Sequence, residues 1–159
     1  METLAVNGIG RIGKLVVKLL VHNQYNLTHL NEISGNTDSL IHSIEFDSIH
    51  GKWQANIEES KDEIKIDGKS IKATFVENIN DLSLDDVDIM IDCTGVYKSS
   101  SKLQKYFDKG VKKVIVSAPI NEDNIVNIAY GVNHNIYKPK EHNIITCLLY
   151  TSPSPRDRI

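Results

Sequence analysis

The stretch that decides the fold class lies near the start of the chain, where residues 4–16 read LAVNGIGRIGKLV. The apolar run of residues 4–6 predicts a buried strand, and Gly8, Gly10 and Gly13 follow at the spacing G-x-G-x-x-G. After the glycines, the apolar residues change to helical spacing. The predicted helical stripe consists of Ile12, Leu15, Val16, Leu19 and Leu20. A strand, a glycine turn and a helix in this order are the context that a dinucleotide-binding fingerprint requires.

Each glycine has a separate role in such a fingerprint. Gly8 permits the tight turn out of the strand, and Gly10 leaves room for the backbone to approach a pyrophosphate. Gly13 allows the helix to pack closely against the strand. The helix is expected to begin near Arg11, so that its unpaired N–H groups and its positive dipole end point at the phosphates.

An acidic residue supports the same interpretation. The apolar run of residues 27–30 predicts the next strand, which ends at Asn31 and Glu32. Glu32 follows Gly13 by nineteen residues, close to the distance at which an acid usually binds the adenosine ribose. A structural strand–helix–strand turn followed by a solvated glutamate is the alternative. Because all four features occur in register, dinucleotide binding is favoured over this alternative.

Composition excludes several classes of function. The 159 residues are 40% hydrophobic and 25% charged, which is typical of one globular domain. A net charge of −3 gives no reason to expect nucleic acid or an acidic membrane as a partner, and no apolar run is long enough for a membrane span. Two cysteines, no signal-peptide pattern and scattered histidines predict a cytoplasmic protein without disulfides or a metal site.

The rest of the chain predicts further strands and helices. A short helix is expected after a cap at Thr37 and Asp38, and residues 55–76 alternate as in an antiparallel hairpin with its turn at Asp67 and Gly68. Strands are expected at residues 87–92, 111–116, 125–130 and from residue 143, with a helix at residues 99–110. The predicted fold class is α/β, a Rossmann-like, doubly wound, mostly parallel sheet with a small antiparallel hairpin insertion.

The strand at residues 87–92 leads into a second candidate segment, Cys93-Thr94-Gly95. Ligands of open α/β sheets bind outside the carboxyl ends of the strands, which makes Thr94 and Gly95 candidate site residues. An ordinary exit from a strand explains them equally well. Cys93 has no basic neighbour in the sequence and is expected to be an inert core thiol.

The end of the chain differs in character from the rest. Residues 147–159 contain two prolines, clustered serines and closing charges, and the run resembles translated adapter DNA from sequencing. It is expected to be a non-native, disordered tail, whereas residues 1–146 form the domain. A genuine disordered tail is the alternative.

Five segments in order resemble the N-terminal, NAD-binding half of phosphorylating glyceraldehyde-3-phosphate dehydrogenase. They are Asn7 to Gly13, with Ile9 where Phe is usual, and residues 46–53, 94–96, 112–119 and 131–134. This resemblance implies that Asn7, Gly8, Gly10 and Gly13 form the glycine loop, while Arg11 and Ile12 offer backbone N–H groups to the pyrophosphate of NAD.

The resemblance also assigns the remaining cofactor residues. Glu32 stands where the family usually has Asp on the adenosine ribose, and its charge would favour NAD over NADP. Thr94, Gly95 and Ser117 would line the nicotinamide side. The family often has a basic residue near the adenine after the hairpin, but residues 75–78 read FVEN and contain none.

Catalytic residues are not matched. The family places its nucleophile in a segment S-C-T-T-N, and Cys147 comes about three residues too early and lacks the Thr-Thr-Asn that follows. The resemblance therefore implies a chain truncated before the catalytic cysteine, without the catalytic domain, that binds NAD but is inactive alone. The full-length family implies a small phosphorylated aldehyde as substrate, a role in glycolysis, and a homotetramer.

Several alternatives remain open from the sequence. An erythrose-4-phosphate dehydrogenase, or a branch of the family associated with arsenic resistance, would share these segments. A nucleotide-binding module without catalysis would explain the absent cysteine and histidine. The chain could also fail to fold stably, because the half that it lacks normally covers apolar surface.

Overall fold

The computed structural model describes residues 1–47, 49, 51–60 and 62–147. Within these residues the strands are β1 Thr3–Asn7, β2 Asn26–Asn31, β3 Phe46–Asp47, β4 Gly51–Lys52, β5 Ile57–Ser60, β6 Glu63–Ile66, β7 Lys69–Thr74, β8 Ile89–Asp92, β9 Lys113–Val116, β10 Val126–Ile128 and β11 Ile144–Cys147. The helices are α1 Gly13–His22, α2 Thr37–Glu45 and α3 Ser100–Phe107. Short 3₁₀ turns lie at Ile79–Asp81 and His134–Ile136.

The strand β1 lies in the middle of a nine-stranded sheet. The order across this sheet is β10-β11-β9-β8-β1-β2-β7-β6-β5, and all pairings from β10 to β7 are parallel. The chain runs outward from β1 to β2 and β7, then crosses back to β8 on the other side of β1. The strand order therefore reverses between β1 and β8, where open α/β sheets form their ligand crevice.

The two faces of the sheet carry separate cores, because successive side chains of β1 point to opposite faces. Leu4 and Val6 pack in one cluster with buried residues of α1 and α2. Ala5 packs in the other cluster with Leu103 and Tyr106 of α3. Helices thus cover both faces, and the prediction of a doubly wound, Rossmann-like sheet is confirmed.

The predicted hairpin is present and extends the sheet. β6 and β7 pair in antiparallel register around Asp67 and Gly68, which both have positive φ angles of 50° and 82° as a tight two-residue hairpin turn requires. β5 adds a further antiparallel strand at the edge. β7 pairs in parallel with β2, so the hairpin belongs to the main sheet.

Several local predictions were only partly correct. α1 begins at Gly13, two residues after Arg11, and its buried residues are Gly13, Val17 and Leu20. Of the predicted stripe, Leu20 is buried and Val16 packs against the core, whereas Ile12 and Leu19 are 43% and 61% exposed. The close approach of Gly13 to the sheet decides which face of α1 is turned inward. The cap of α2 is Asn36, whose side chain accepts from the Ser39 N–H in a capping box.

The remaining predictions fall partly outside the described residues. Residues 148–159 lie outside them, so the predicted domain boundary after residue 146 stays a prediction. Among the described residues, no helix has both the length and the apolar character needed to cross a bilayer. The same residues contain no group of three or more His, Cys, Asp or Glu side chains arranged to hold a metal ion.

Candidate dinucleotide site

A pocket of about 270 Å³ lies at the carboxyl ends of β1, β2 and β8. This volume is slightly below the ~300–1,000 Å³ of typical ligand pockets, so it suits a nucleoside rather than a whole dinucleotide. The residues that line it are Asn7, Gly8, Gly10, Asn31, Glu32, Ile33, Val76, Glu77, Cys93, Thr94, Val96 and Tyr97.

The three glycines occupy different environments. Gly8 has a φ of +85°, and a Cβ there would lie 2.8 Å from the Thr94 backbone nitrogen. A Cβ on Gly13 would lie 1.9 Å from the Gly8 carbonyl oxygen, so the start of α1 touches the turn. A Cβ on Gly10 would meet nothing within 4 Å. Gly8 and Gly13 are therefore required by packing within the chain, while the space beside Gly10 is free.

The turn before α1 offers donors to an anion. The first backbone hydrogen bonds of α1 reach back into the turn. The Lys14 N–H donates to the Gly10 carbonyl, and the Val16 N–H donates to the Ile12 carbonyl. The N–H groups of Arg11 and Ile12 donate to no acceptor in the described part of the chain. Both lie at the positive end of the helix dipole, where a phosphate is stabilised.

The Glu32 carboxylate joins β2 to the glycine loop. Its Oε2 accepts from the Ile9 N–H at 2.7 Å, and its Oε1 accepts from the Ile33 N–H at 2.8 Å. Each carboxylate oxygen has a further lone pair with which it can accept from a ligand hydroxyl. Glu32 is thus held beside the loop by backbone donors and can still accept a hydrogen bond from a ribose.

The Thr94 turn is fixed by Asp92, the last residue of β8. The Oδ1 of Asp92 accepts from the Thr94 N–H at 3.0 Å and from the Thr94 hydroxyl at 2.8 Å. The Thr94 hydroxyl in turn accepts from the Val96 N–H at 3.1 Å. Asp92 is fully buried, and burial raises its pKa while hydrogen bonds from Tyr106 and Thr94 act in the opposite direction.

Cys93 lines the pocket but is not activated. Burial raises the pKa of its thiol to about 11, partly offset by a hydrogen bond with Ser117, and the nearby Asp92 raises it further. The thiol stays protonated near neutral pH, and a protonated thiol is a poor nucleophile. This agrees with the expectation of an inert thiol at the end of β8.

The structure brings some of the predicted site residues together. Those that line the pocket are Asn7, Gly8, Gly10, Glu32 and Thr94. Arg11, Ile12 and Gly13 lie beside it on the turn and the first residue of α1, whereas Gly95 and Ser117 do not line it. Thr94 shares this pocket with Glu32, the predicted ribose residue.

Sequence reasoning assigned no site role to the rest of the wall, although the resemblance placed residues 75–78 near the adenine. The further lining residues are Asn31, Ile33, Val76, Glu77, Val96 and Tyr97. Two of them, Val76 and Glu77, follow the end of β7, and the parallel pairing of β7 with β2 was not predicted. The lining residues include two glutamates and no Lys or Arg, consistent with the absence of a basic residue after the hairpin.

Comparison with known proteins identifies the family to which the chain belongs. Residues 2–100 match the family model described as "Glyceraldehyde 3-phosphate dehydrogenase, NAD binding domain". The chain belongs to this family. The glycine turn, Glu32 and Thr94 all lie within the matched residues, and the recognition of the NAD-binding half from five sequence segments is confirmed.

Individual glyceraldehyde-3-phosphate dehydrogenases show the extent of the similarity. Glyceraldehyde-3-phosphate dehydrogenase 3 of Nostoc sp. is 33% identical over 152 residues, which are 94% of this chain and 45% of that protein. The enzyme of Thermotoga maritima is 33% identical over 159 residues, 97% of this chain and 47% of its own length. Glyceraldehyde-3-phosphate dehydrogenase 1 of Bacillus subtilis is 31% identical over 146 residues, 90% of this chain and 43% of its own. The chain spans a little under half the length of these curated relatives.

The cofactor of this domain family is NAD, and the residues present fit it. The open space beside Gly10 and the free N–H groups of Arg11 and Ile12 suit a pyrophosphate. The Glu32 carboxylate in the adjoining pocket suits the hydroxyls of a ribose.

Proposed function

We propose that this chain supplies the NAD-binding half of a phosphorylating glyceraldehyde-3-phosphate dehydrogenase and, by itself, binds NAD without oxidising an aldehyde. The observation that carries the proposal is the pocket that joins Glu32, the Gly10 turn and Thr94 at the reversal of strand order. Relatives that carry the dehydrogenase name align with this chain over more than 90% of its length.

Each half of NAD has a proposed position. The pyrophosphate lies on the N–H groups of Arg11 and Ile12, against the face left open by Gly10. The adenosine lies in the pocket, with its ribose on Glu32 and its base between Ile33 and the residues Val96 and Tyr97. Because Thr94 lines this pocket, we place it on the adenosine side, which leaves Gly95 and Ser117 for the nicotinamide side.

The chain's part in the reaction is to bind and orient the cofactor. NAD supplies a hydride acceptor, and the protein places the nicotinamide where it meets the substrate carbon. Cys93, with its raised pKa, is unsuited as a nucleophile, so the aldehyde chemistry is proposed to belong to the part of the family's chain beyond this one. Cytoplasmic location and assembly into a homotetramer stay predictions.

Calorimetric titration of the 159-residue chain with NAD and with NADP tests the proposal. We expect NAD to bind and NADP to bind more weakly, because Glu32 repels a 2′-phosphate. No heat of binding with either dinucleotide would overturn the proposal.

The choice of substrate needs a longer form of the protein. A full-length version is to be assayed with glyceraldehyde 3-phosphate and with erythrose 4-phosphate, with arsenate in place of phosphate as a third arm. Turnover of the first aldehyde supports the proposal, and preference for the second favours the sister enzyme. No turnover of either would favour a nucleotide-binding module without catalysis.

A further inference from the structure

A chain of hydrogen-bonded side chains runs behind the pocket, across the carboxyl ends of four neighbouring strands. The Thr74 hydroxyl on β7 donates to Asn31 Oδ1 on β2 at 2.9 Å, and Asn31 Nδ2 donates to Asn7 Oδ1 on β1 at 2.8 Å. Asn7 Nδ2 donates to the Tyr106 hydroxyl at 2.6 Å, and this hydroxyl donates to Asp92 Oδ2 on β8 at 2.7 Å. The two asparagines, Tyr106 and Asp92 are buried.

The direction of this chain can be followed from its Asp92 end. The Tyr106 hydroxyl has one proton, and since it is given to Asp92 the oxygen is free to accept from Asn7. The Asn7 amide must then present its oxygen to Asn31, and the Asn31 amide must present its oxygen to Thr74. Asp92 at one end of the chain and the Val76 backbone at the other therefore favour the same orientation of the asparagine amides.

Asn31 uses this orientation to hold the wall formed by Val76. Its Oδ1 accepts from the Val76 N–H at 3.1 Å, and its Nδ2 donates to the Val76 carbonyl at 2.9 Å. A flipped Asn31 amide would place like groups opposite each other at Val76 and Asn7. The correct orientation of Asn31 is therefore needed for this wall of the pocket.

The other oxygen of Asp92 holds the opposite wall. Its Oδ1 accepts both hydrogen bonds of Thr94, and the Thr94 hydroxyl holds the Val96 N–H. Thr94, Val96 and Val76 all line the pocket, whereas Asp92 and Tyr106 do not. The two oxygens of one buried carboxylate thus reach the two walls of the same pocket.

We propose that Asp92 is a positioning residue for the dinucleotide pocket, which fixes one wall directly through Thr94 and the other through Tyr106, Asn7 and Asn31. This inference rests on the proposed function, since the walls are those assigned to the adenosine of NAD. It gives a role to a fully buried carboxylate that forms no ion pair within the described residues.

The first test measures affinity for AMP and NAD in the 159-residue chain and its variants. Asp92→Asn replaces one acceptor by a donor, which then faces either the Tyr106 hydroxyl or the Thr94 N–H. Tyr106→Phe removes the hydroxyl with little change in shape. We expect each variant to weaken AMP and NAD binding about tenfold, the order expected when a buried hydrogen-bond chain is broken. All titrations are done at a temperature where circular dichroism shows the variant to be folded.

Leu103→Ala is the matched control. Leu103 lies one turn before Tyr106 on α3, is fully buried in the same core cluster, and is not among the residues that line the pocket. This variant should lose stability without a change in AMP affinity. If Leu103→Ala weakens AMP binding as much as Tyr106→Phe does, the effect is one of general stability and the inference is wrong.

A double-variant cycle separates a connected chain from independent structural roles. Among the described residues, hydrogen bonds link Tyr106 to Asn31 through Asn7, so Tyr106→Phe should add little to the loss caused by Asn31→Ser. If the double variant loses AMP affinity by the product of the two single losses, the two residues act independently and the proposed link between them is wrong. The side-chain amide NMR signals of Asn7 and Asn31 should also shift in Asp92→Asn, and unchanged signals would contradict the proposed orientation.

The outcomes distinguish this inference from the proposed function. If the unsubstituted chain binds neither NAD nor AMP, both are wrong. If it binds them and the Asp92 and Tyr106 variants bind equally well while folded, only the positioning role is wrong. If Asp92→Asn fails to fold, the AMP affinity of Tyr106→Phe and the double-variant cycle decide whether the positioning role is correct.

Discussion

At Gly10, the space needed by the ligand can be tested separately from the packing needed by the fold. A Cβ there meets no atom of the chain within 4 Å, and the residue has no positive φ that a side chain would strain. We therefore expect Gly10→Val to change the free energy of unfolding by no more than about 0.5 kcal/mol, as at ordinary surface positions, and to abolish NAD binding. Urea denaturation and calorimetric titration measure the two effects. Unchanged NAD affinity would show that the pyrophosphate lies elsewhere.

Glu32 has two roles, since it accepts from the Ile9 N–H and faces the pocket. We expect Glu32→Ala to weaken NAD binding by roughly 1.5–3 kcal/mol, the range for hydrogen bonds to a charged group, and to reduce the preference for NAD over NADP. Titrations with both dinucleotides check this. Glu2→Ala, at an exposed glutamate near the chain start, is the control and should bind as the unsubstituted chain does. An unchanged NAD to NADP ratio would remove Glu32 from the ribose site.

At the scale of elements, the contact between α1 and the turn after β1 depends on Gly13. A Cβ at this position would lie 1.9 Å from the Gly8 carbonyl oxygen, so α1 or the turn must shift. We expect Gly13→Ala to destabilise the protein by about 1–3 kcal/mol, as other overpacked sites do, despite the better helix propensity of alanine. Gly10→Ala, three residues before the start of α1 and in open space, should be nearly neutral in the same denaturant series. Equal stabilities for both variants would show that α1 can move without cost.

The orientation of α1 shows the limit of periodicity. The predicted buried stripe was Ile12, Leu15, Val16, Leu19 and Leu20. Leu20 is buried and Val16 packs against the core, yet Ile12 and Leu19 are exposed. The buried face is completed by Gly13 and Val17. Both stripes are apolar, and only contact with the sheet decides between them.

For the whole molecule, the pH dependence of stability should reflect His29. Burial, and to a lesser extent the charge of Lys72, lowers the pKa of His29 from 6.5 to about 4. The unfolded chain therefore takes up a proton as the pH falls below 6.5, while the folded protein does so only near pH 4. His29 thus contributes stability above pH 6.5 that is lost as the pH falls to about 4, by up to about 3 kcal/mol.

His29→Gln is expected to remove this part of the pH dependence. The Gln amide can still form a hydrogen bond with the Thr74 hydroxyl, which lies 2.9 Å from His29 Nε2, but it does not titrate. Urea unfolding of both proteins between pH 7 and pH 4 measures the difference in slope. Parallel curves for the two proteins would show that His29 is protonated equally in the folded and unfolded states.

Local sequence patterns determined much of this protein. The glycine spacing, the apolar run before it and the acid after β2 predicted the fold class and a dinucleotide ligand, because each depends on residues that are near one another in the chain. The family resemblance then specified NAD. The Asp67-Gly68 turn predicted its hairpin for the same reason. Gly8, Gly10, Glu32 and Thr94 were found in this way, Asn7 was added by the family resemblance, and all five meet in one pocket.

Only the tertiary structure decided which face of α1 is buried, and which residues form the second wall of the pocket. Val76 reaches the site because β7 pairs with β2, and Tyr106 reaches Asn7 across 99 positions of sequence. The role of Asp92 likewise depends on strands that are neighbours only in the sheet. Such contacts follow from strand order and packing, which the spacing of residues along the chain does not specify.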